Sequence, residues 1–444
     1  MIGQEPTFWI DVADFLEFFR YQEQPTGIQR AQMEIFAALT RARSPRRAIR
    51  FGRLDRSADQ FESVELETLE RVFYDPPVAG SPRRALVRAL RRRLRARRLL
   101  YPRPAPPGAR TESFRASDVL VCLGTSWENP RYIGLLARAR QLGVRIAVLI
   151  YDIIPVANPQ WVETGLQRRF GWWLDGALAN ADLLLTISEH SRGTLLRLAA
   201  ERRIALPPVH VLHLGSGFPA LAAADTSAAD PRLPEPFVLY VSTIEARKNH
   251  LLLLRIWRQL LAKHGAAAVP SVAFAGRRGW LVDDVMAGLS REGPLRDKVA
   301  IVSGLSDAEV AAAYRRCLFT VFPSLMEGWG LPVAESLGQG KLCVASNRGA
   351  IPEAGGHLVD YFDPDNDAET LAAVERAIFD RDYRQAREAR IRAEFQPRSW
   401  ADCAAALIEH LDRLHAANPA GTRVGEPVMA MPQARVARGV TNVV

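Results

Sequence analysis

Cysteine is scarce in this chain: four residues in 444, at positions 122, 317, 343 and 403. They lie far apart in apolar surroundings and form no Cys-x-x-Cys pair. That pattern excludes a zinc ribbon or a disulfide framework and points to buried, reduced thiols in a reducing compartment. Long apolar runs are missing too. The longest, Ile146 to Ala157, is broken by Asp152 and Pro155 and is too short to span a bilayer. The opening MIGQEPTFWIDVADF lacks the basic segment and apolar core of a secretory signal. A cytoplasmic protein is expected, with a peripheral position on the inner face of the plasma membrane kept open. Acidic residues are absent from Ser81 to Arg110. No convincing acidic metal site appears either. Asp363-Pro-Asp365-Asn-Asp367 lacks the glycine and distal glutamate of a calcium loop, and reads as a turn with a helix N-cap at Asp367.

The formal net charge is +9 and the sequence pI about 9.7, which favours anionic partners: nucleotide phosphates, a phospholipid surface or nucleic acid. At 444 residues, two domains and a tail are expected. Apolar runs at 8–13, 48–51, 119–123, 145–151, 183–187 and 209–214 alternate with helical patterns, as in a parallel sheet covered on both faces. The rhythm stops across 217–236, rich in Ala, Pro and Asp, which reads as a linker. It resumes with runs at 237–241, 271–275, 299–302, 318–322, 342–345 and 358–362. The expectation is therefore an α/β protein of two doubly wound domains, 1–216 and 237–399, facing a cleft. Residues 400–415 form one amphipathic helix, expected to pack back on the first domain. Residues 416–444 show no periodicity and are expected to be disordered.

In the acid-free segment 81–110, Leu86, Leu90 and Leu94 recur at helical spacing among the nine arginines of 83–98, including Arg91, Arg92 and Arg93. Two readings fit: a helix lying in an anionic membrane interface, or a solvated helix packing its leucines on its own domain. The arginines are not interleaved with aromatics, which disfavours a nucleic-acid surface.

The most informative stretch is SLMEGWGLPVAESLGQGKLCVASNRGAIPEAGG, Ser324 to Gly356. A strand is followed by a glycine-containing loop, Glu327–Gly330. Pro332 suits the first turn of a helix, and Glu335 falls near that helix's start. Gly328 and Gly330 let backbone approach a ligand. The helix start presents unpaired N–H groups to a phosphate, and the two carboxylates can accept hydrogen bonds from neutral hydroxyls. A nucleotide sugar offers that mixture.

Glu327-Gly328-Trp329-Gly330-Leu331-Pro332 followed by Glu335 resembles the glutamate-x7-glutamate signature of retaining GT-B glycosyltransferases of the group-1, or family-four, type, mannosyltransferases among them. Tyr240 to Asn249 resembles the family's first donor-domain strand and loop. Thr26-Gly27-Ile28-Gln29-Arg30 resembles the glycine loop opening its first helix, and Asp152-Ile-Ile-Pro155 and Ser188-Glu189-His190-Ser191 are similar to further landmarks. The resemblance implies a GT-B fold, with an acceptor-binding first domain and a nucleotide-sugar-binding second one. It implies transfer of a hexose, mannose-like, from a nucleotide diphosphate sugar to a glycan or polyprenyl-diphosphate-linked acceptor, as in O-antigen, lipopolysaccharide or other surface-polysaccharide assembly. Cofactor and metal are not implied. A GDP-sugar is favoured over a UDP-sugar, and an anionic membrane surface is a further partner.

By the same resemblance Glu335 binds the ribose, Glu327 holds donor-sugar hydroxyls and Lys248 neutralises the departing diphosphate. Gly328, Trp329, Gly330 and Leu331 supply backbone donors, and Ser242 lies in the donor loop. Arg247 is either a phosphate ligand or directed elsewhere. Gly27 lets diphosphate or acceptor approach the first helix, or simply makes a tight turn. Asp152 either orients an acceptor hydroxyl or is a structural carboxylate at a strand end. Tyr151 stands where many relatives carry histidine, and a phenol titrates too high to exchange protons near neutrality. Two rivals share the architecture, a sugar-nucleotide epimerase and a phosphorylase.

Overall fold

The computed structural model describes residues 6–22, 25–42, 48–54, 60–74, 111–115, 117–217, 230–290 and 293–417. The Arg-rich stretch with Arg91, Arg92 and Arg93, most of the 217–236 linker, and the tail from 418 onward lie outside these residues.

The first sheet has eight strands: β1 (Thr7–Asp11), β2 (Ala48–Leu54), β3 (Gln60–Ser63), β4 (Thr111–Ser113), β5 (Val119–Cys122), β6 (Arg145–Ile150), β7 (Leu183–Thr186) and β8 (Val209–Val211). Their spatial order is β4-β3-β2-β1-β5-β6-β7-β8. Every residue of β1, β5, β6 and β7 is buried, which is why their sequences are unbroken apolar runs rather than alternating ones. Near one edge β3 runs antiparallel to both its neighbours, β2 and β4, so the sheet is mixed rather than wholly parallel.

The second sheet is built from β9 (Phe237–Val241), β10 (Ser271–Ala275), β11 (Val299–Val302), β12 (Thr320–Phe322), β13 (Cys343–Ser346) and β14 (Asp360–Phe362). Its order is β11-β10-β9-β12-β13-β14, all parallel. Helices cover both sheets, so each half is a Rossmann-like α/β domain. The helix Trp400–Ala416 returns across the molecule and places Trp400, Cys403, Leu407 and Leu411 in the core of the first domain, beside Phe36 and Leu39 of the Gly27–Arg41 helix. All four cysteines are buried and free. Among the described residues no helix is long and apolar enough to cross a membrane.

Strand order determines where ligands can enter. In a doubly wound sheet the crossovers leave in opposite directions from one point, opening a crevice beyond the carboxyl ends of the strands there. That point lies between β1 and β5 in the first sheet and between β9 and β12 in the second.

At the first switch point, Asp14 follows β1 and is buried. Its carboxylate accepts the Thr125 amide at 2.7 Å and the Gln32 Nε2 at 3.1 Å. Burial, together with neighbouring Asp11, pushes its carboxyl up to about 7. A folded-state value above the ordinary one means that the protonated form is favoured by folding; that stability is complete below the ordinary carboxylate range and lost as pH rises through 7. Asp14→Asn is therefore expected to stabilise the protein at pH 8, on the order of 1–3 kcal/mol, and to do little at pH 4. Thermal unfolding at the two pH values checks this.

Candidate functional site

Two loops leave the switch point of the second sheet. The first follows β9 and makes a short turn at Ala246–Lys248 before Asn249, in the left-handed conformation, redirects the chain into the His250–His264 helix. The second follows β12 and runs from Pro323 to Gly330. They are joined by two bonds: the Leu325 amide donates to the Arg247 carbonyl at 2.9 Å, and the Arg247 guanidinium donates to the Met326 carbonyl at 2.5 Å.

Arg247, Lys248 and Glu327 meet where these loops touch. Lys248 Nζ lies 2.5 Å from one carboxylate oxygen of Glu327, and Arg247 lies 2.9 Å from the other. Glu245 takes the far side of Arg247 at 2.7 Å. The Glu327 backbone is fixed as well. The Ala350 amide donates to its carbonyl at 3.0 Å, and a Cβ at Gly349, whose φ is +61°, would come within 2.7 Å of its backbone. Glycine is required there on both counts.

Burial by itself raises the Glu327 carboxyl, but the adjacent Arg247 and Lys248 outweigh it and hold the group down to about 2. Burial lowers Lys248 against the pull of Glu327. Asp152, at the end of β6 in the first domain, is raised by burial and held back in part by Arg247. Its Oδ1 accepts the Ile154 amide at 2.9 Å. Near neutrality the site thus contains an ionised acceptor-only carboxylate flanked by two cations.

The helix Leu331–Gly338 starts at Gly330, with φ +127° and Pro332 in the first turn. Among the described residues the backbone N–H groups of Gly328, Trp329, Gly330 and Leu331 find no acceptor. Unpaired donors at a helix start suit an anion. One turn further on, Glu335 is buried; Tyr314 donates to it at 2.9 Å and Arg30 lies 3.3 Å away.

The first domain closes directly on this loop. Ser191 Oγ donates to the Tyr151 carbonyl at 3.1 Å and to the Gly328 carbonyl at 3.3 Å. Glu353 accepts the amides of Glu189 and His190, at 2.8 and 2.7 Å, at the start of the Glu189–Arg202 helix. Gly27 approaches Leu331: a Cβ on it would lie 3.7 Å from the leucine side chain. Both Glu327 and Glu335 therefore face the first domain. A Cβ at Gly328 would sit 2.8 Å from the Tyr151 carbonyl oxygen and 3.0 Å from Asp152 Cβ. Gly328→Ala is expected to hold the domains apart and lower kcat at least tenfold, with nucleotide affinity changed less than threefold. Steady-state kinetics and nucleotide titration separate the two effects.

Several expected residues point elsewhere. The Tyr151 phenol is buried and donates to the Leu123 carbonyl at 3.0 Å; burial raises it well above its ordinary value, and only its carbonyl faces the cleft. Ser242 Oγ pairs with His250 at 3.3 Å. The Gly328 carbonyl accepts a bond across the cleft, and the Trp329 side chain packs against the first-domain core with its ring 5.7 Å from that of His213. The helix cap moves by one residue. Asn366 accepts the Glu369 amide at 3.1 Å, whereas Asp367 lies inside the first turn and pairs with Arg255 at 2.7 Å. Asp363 and Asp365 both bind Arg348.

Among the described residues no group of three or more His, Cys, Asp or Glu is placed to hold a metal ion. His210 and His213, three apart, diverge: His210 stacks on His410 at 5.0 Å and His213 faces Trp329. Roles not foreseen from sequence fall to Glu245, Ser191, Glu353, Tyr314 and Arg30. Four of them, Arg30, Ser191, Glu245 and Glu353, lie within stretches already singled out there.

Residues 225–394 match the protein family described as "Glycosyl transferases group 1". The chain is 26% identical over 275 residues to "Serotype-specific mannosyltransferase WbdA" of Escherichia coli, covering 59% of this chain and 33% of that protein. It is 28% identical over 271 residues to "O-antigen chain mannosyltransferase B" of Escherichia coli, covering 60% and 69%. The chain thus spans about a third of the length of the first of these relatives. Among solved structures, Anabaena Alr3699/HepE in complex with UDP and glucose superposes with a TM-score of 0.60 at 14% identity, covering 92% of this chain and all of that one. The architecture is GT-B: two Rossmann-like domains facing a cleft.

Proposed function

We propose that this chain, whose second domain belongs to the group 1 glycosyltransferases, transfers a hexose from a nucleotide diphosphate sugar to a hydroxyl of a glycan or lipid-linked glycan. The observation that carries the reading is the ionised Glu327 held between Lys248 and Arg247, at the second sheet's switch point and facing the first domain. Breaking the bond between sugar and diphosphate places developing negative charge on the leaving oxygen. Preorganised cations and unpaired N–H groups stabilise that charge without reorganising at the moment of reaction. The loop from Gly328 to Leu331 supplies the N–H groups, and Lys248 supplies the cation. Arg247 is fixed on its far side by Glu245 and holds Glu327 in place.

Glu327 then accepts hydrogen bonds from sugar hydroxyls and Glu335 from the ribose. Among the described residues of this pocket, Glu327 is committed to two cations and is thereby a poor covalent nucleophile. Attack on the face the diphosphate leaves, with a diphosphate oxygen taking the acceptor proton, gives retention of configuration. The names of the Escherichia coli relatives support mannose and surface-polysaccharide assembly, and the donor proposed with them is a GDP-sugar in preference to a UDP-sugar. Purified protein incubated with GDP-mannose and a panel of UDP-sugars, with glycan acceptors, tests the reading. Released nucleoside diphosphate and a product of unchanged anomeric configuration by NMR are expected; no turnover or binding with any donor sinks it.

A lipid-linked acceptor places the enzyme at the inner face of the plasma membrane, and the acid-free stretch 81–110 is the part suited to it. Replacing Arg91, Arg92 and Arg93 together by Glu is expected to abolish co-sedimentation with vesicles containing phosphatidylglycerol. Undiminished sedimentation of the triple variant contradicts this role.

A further inference from the structure

Arg30 has no part in the chemistry above, yet its position is unusual. It lies in the first turn of the Gly27–Arg41 helix, in the first domain, while two carboxylates of the second domain flank it. Its NH1 is 3.3 Å from Glu335 Oε1 and its Nε is 3.7 Å from Asp307 Oδ1. The Glu335 side chain is 4% exposed, and its other oxygen accepts the Tyr314 hydroxyl. The carboxylate assigned to the ribose is thus engaged on both oxygens, one of them from across the cleft.

This arrangement sets a condition on what can bind. A carboxylate offers about four lone-pair sites, so one added hydroxyl can share Glu335 with Tyr314. The second of a pair of ribose hydroxyls must then crowd onto Oε1, the oxygen that the guanidinium holds at 3.3 Å. Hydroxyls are neutral and give Arg30 nothing in exchange for a carboxylate in a setting of low polarity. A ligand that carries an anion on the same molecule does. The first turns of the two helices meet at Gly27 and Leu331. A phosphate at the start of the Leu331–Gly338 helix therefore lies within the span of an arginine that already reaches the second turn of that helix. Bidentate pairing with phosphate oxygens is what a guanidinium does best.

We infer that Arg30 is a diphosphate ligand supplied by the first domain, which moves from Glu335 to the donor's diphosphate as the ribose takes its place on Glu335. The inference rests on the nucleotide-sugar reading above. It makes Arg30 a specificity device: the cleft accepts a nucleoside only when a diphosphate is attached, and the exchange couples donor binding to the contact between domains.

The test compares the full-length protein with Arg30→Gln and Arg30→Lys, titrated with GDP, UDP, guanosine and uridine by ligand-observed NMR, which also registers weak nucleoside binding. Circular dichroism and thermal unfolding confirm that each variant is folded. Arg30→Gln is expected to weaken diphosphate binding about ten- to a hundredfold while nucleoside binding stays equal or tightens, and Arg30→Lys to recover part of the loss. Unchanged diphosphate affinity, or an equal loss for nucleosides and diphosphates, overturns the inference with the nucleotide reading intact. Wild-type protein that binds neither GDP nor UDP overturns that reading first.

Discussion

Lys248→Ala lowers kcat/KM for the sugar nucleotide about a hundred- to a thousandfold, with little change in stability. The size follows from removing one preorganised charge from a leaving group, a loss of about 3–4 kcal/mol in the transition state. Stability is spared because Glu327 keeps Arg247 as its partner at 2.9 Å and is not left as an unpaired buried charge. The pH dependence gives a second readout. Lys248 is lowered by burial, so the wild-type profile is expected to fall on its alkaline side below the ordinary lysine value, and the alanine variant to lose that limb. Chemical denaturation and a pH–rate profile on the same preparation distinguish lost chemistry from a damaged fold.

Glu327→Ala has the opposite balance. It removes the carboxylate that compensates Lys248 and half of what compensates Arg247, leaving cations in a setting where Glu327 itself is only 8% exposed. Breaking a buried pair from one side costs about 3–5 kcal/mol, so this variant is expected to be both inactive and markedly less stable. Glu327→Gln keeps the shape and loses the charge. It is expected to recover part of the stability, while activity stays down at least a thousandfold because two cations no longer face an anion between them. The carboxyl is held at about 2, below the ordinary range, so its contribution is present above pH 4.5 and is lost as pH falls toward 2. Wild-type protein should therefore lose on the order of 3 kcal/mol across that acid window, and Glu327→Gln much less. Urea unfolding at stepped pH reads the difference.

The architecture was legible where burial leaves a strong mark. Strands such as Arg145–Ile150 are buried on both faces, so their apolar runs announce a parallel sheet. The edge strand Thr111–Ser113 and its neighbour Gln60–Ser63 are short and largely polar, and nothing in QFES or TES separates them from a loop. The loop and helix from Glu327 to Glu335 were legible because glycine, proline and carboxylate each need a particular place at a helix start. Contacts between the domains were not. Arg30 with Glu335, Ser191 with Gly328, and Glu353 with the amides of Glu189 and His190 join residues more than 130 positions apart, and periodicity carries no information about such pairs. The shift of the helix cap from Asp367 to Asn366 has a local cause. Three successive residues from Asp365 can all cap, and only the geometry of the turn selects one.

Tyr151 illustrates how a matching position can serve another purpose. Its phenol is used inward, on the Leu123 carbonyl, so its contribution to the cleft is the backbone oxygen that receives Ser191. Next to it Asp152 sits beside Gly328 and feels the charges of Arg247, Glu327 and Lys248.

The account stands on the pocket between the two loops of the second sheet and the first domain, and a crystal structure with GDP-mannose or UDP-glucose tests it most directly. The diphosphate is expected within hydrogen-bond distance of Lys248 Nζ and the amides following Gly328, with the ribose on Glu335 and the hexose on Glu327. A nucleotide bound away from these loops, with Glu327 still closed on Lys248 and Arg247, would contradict it.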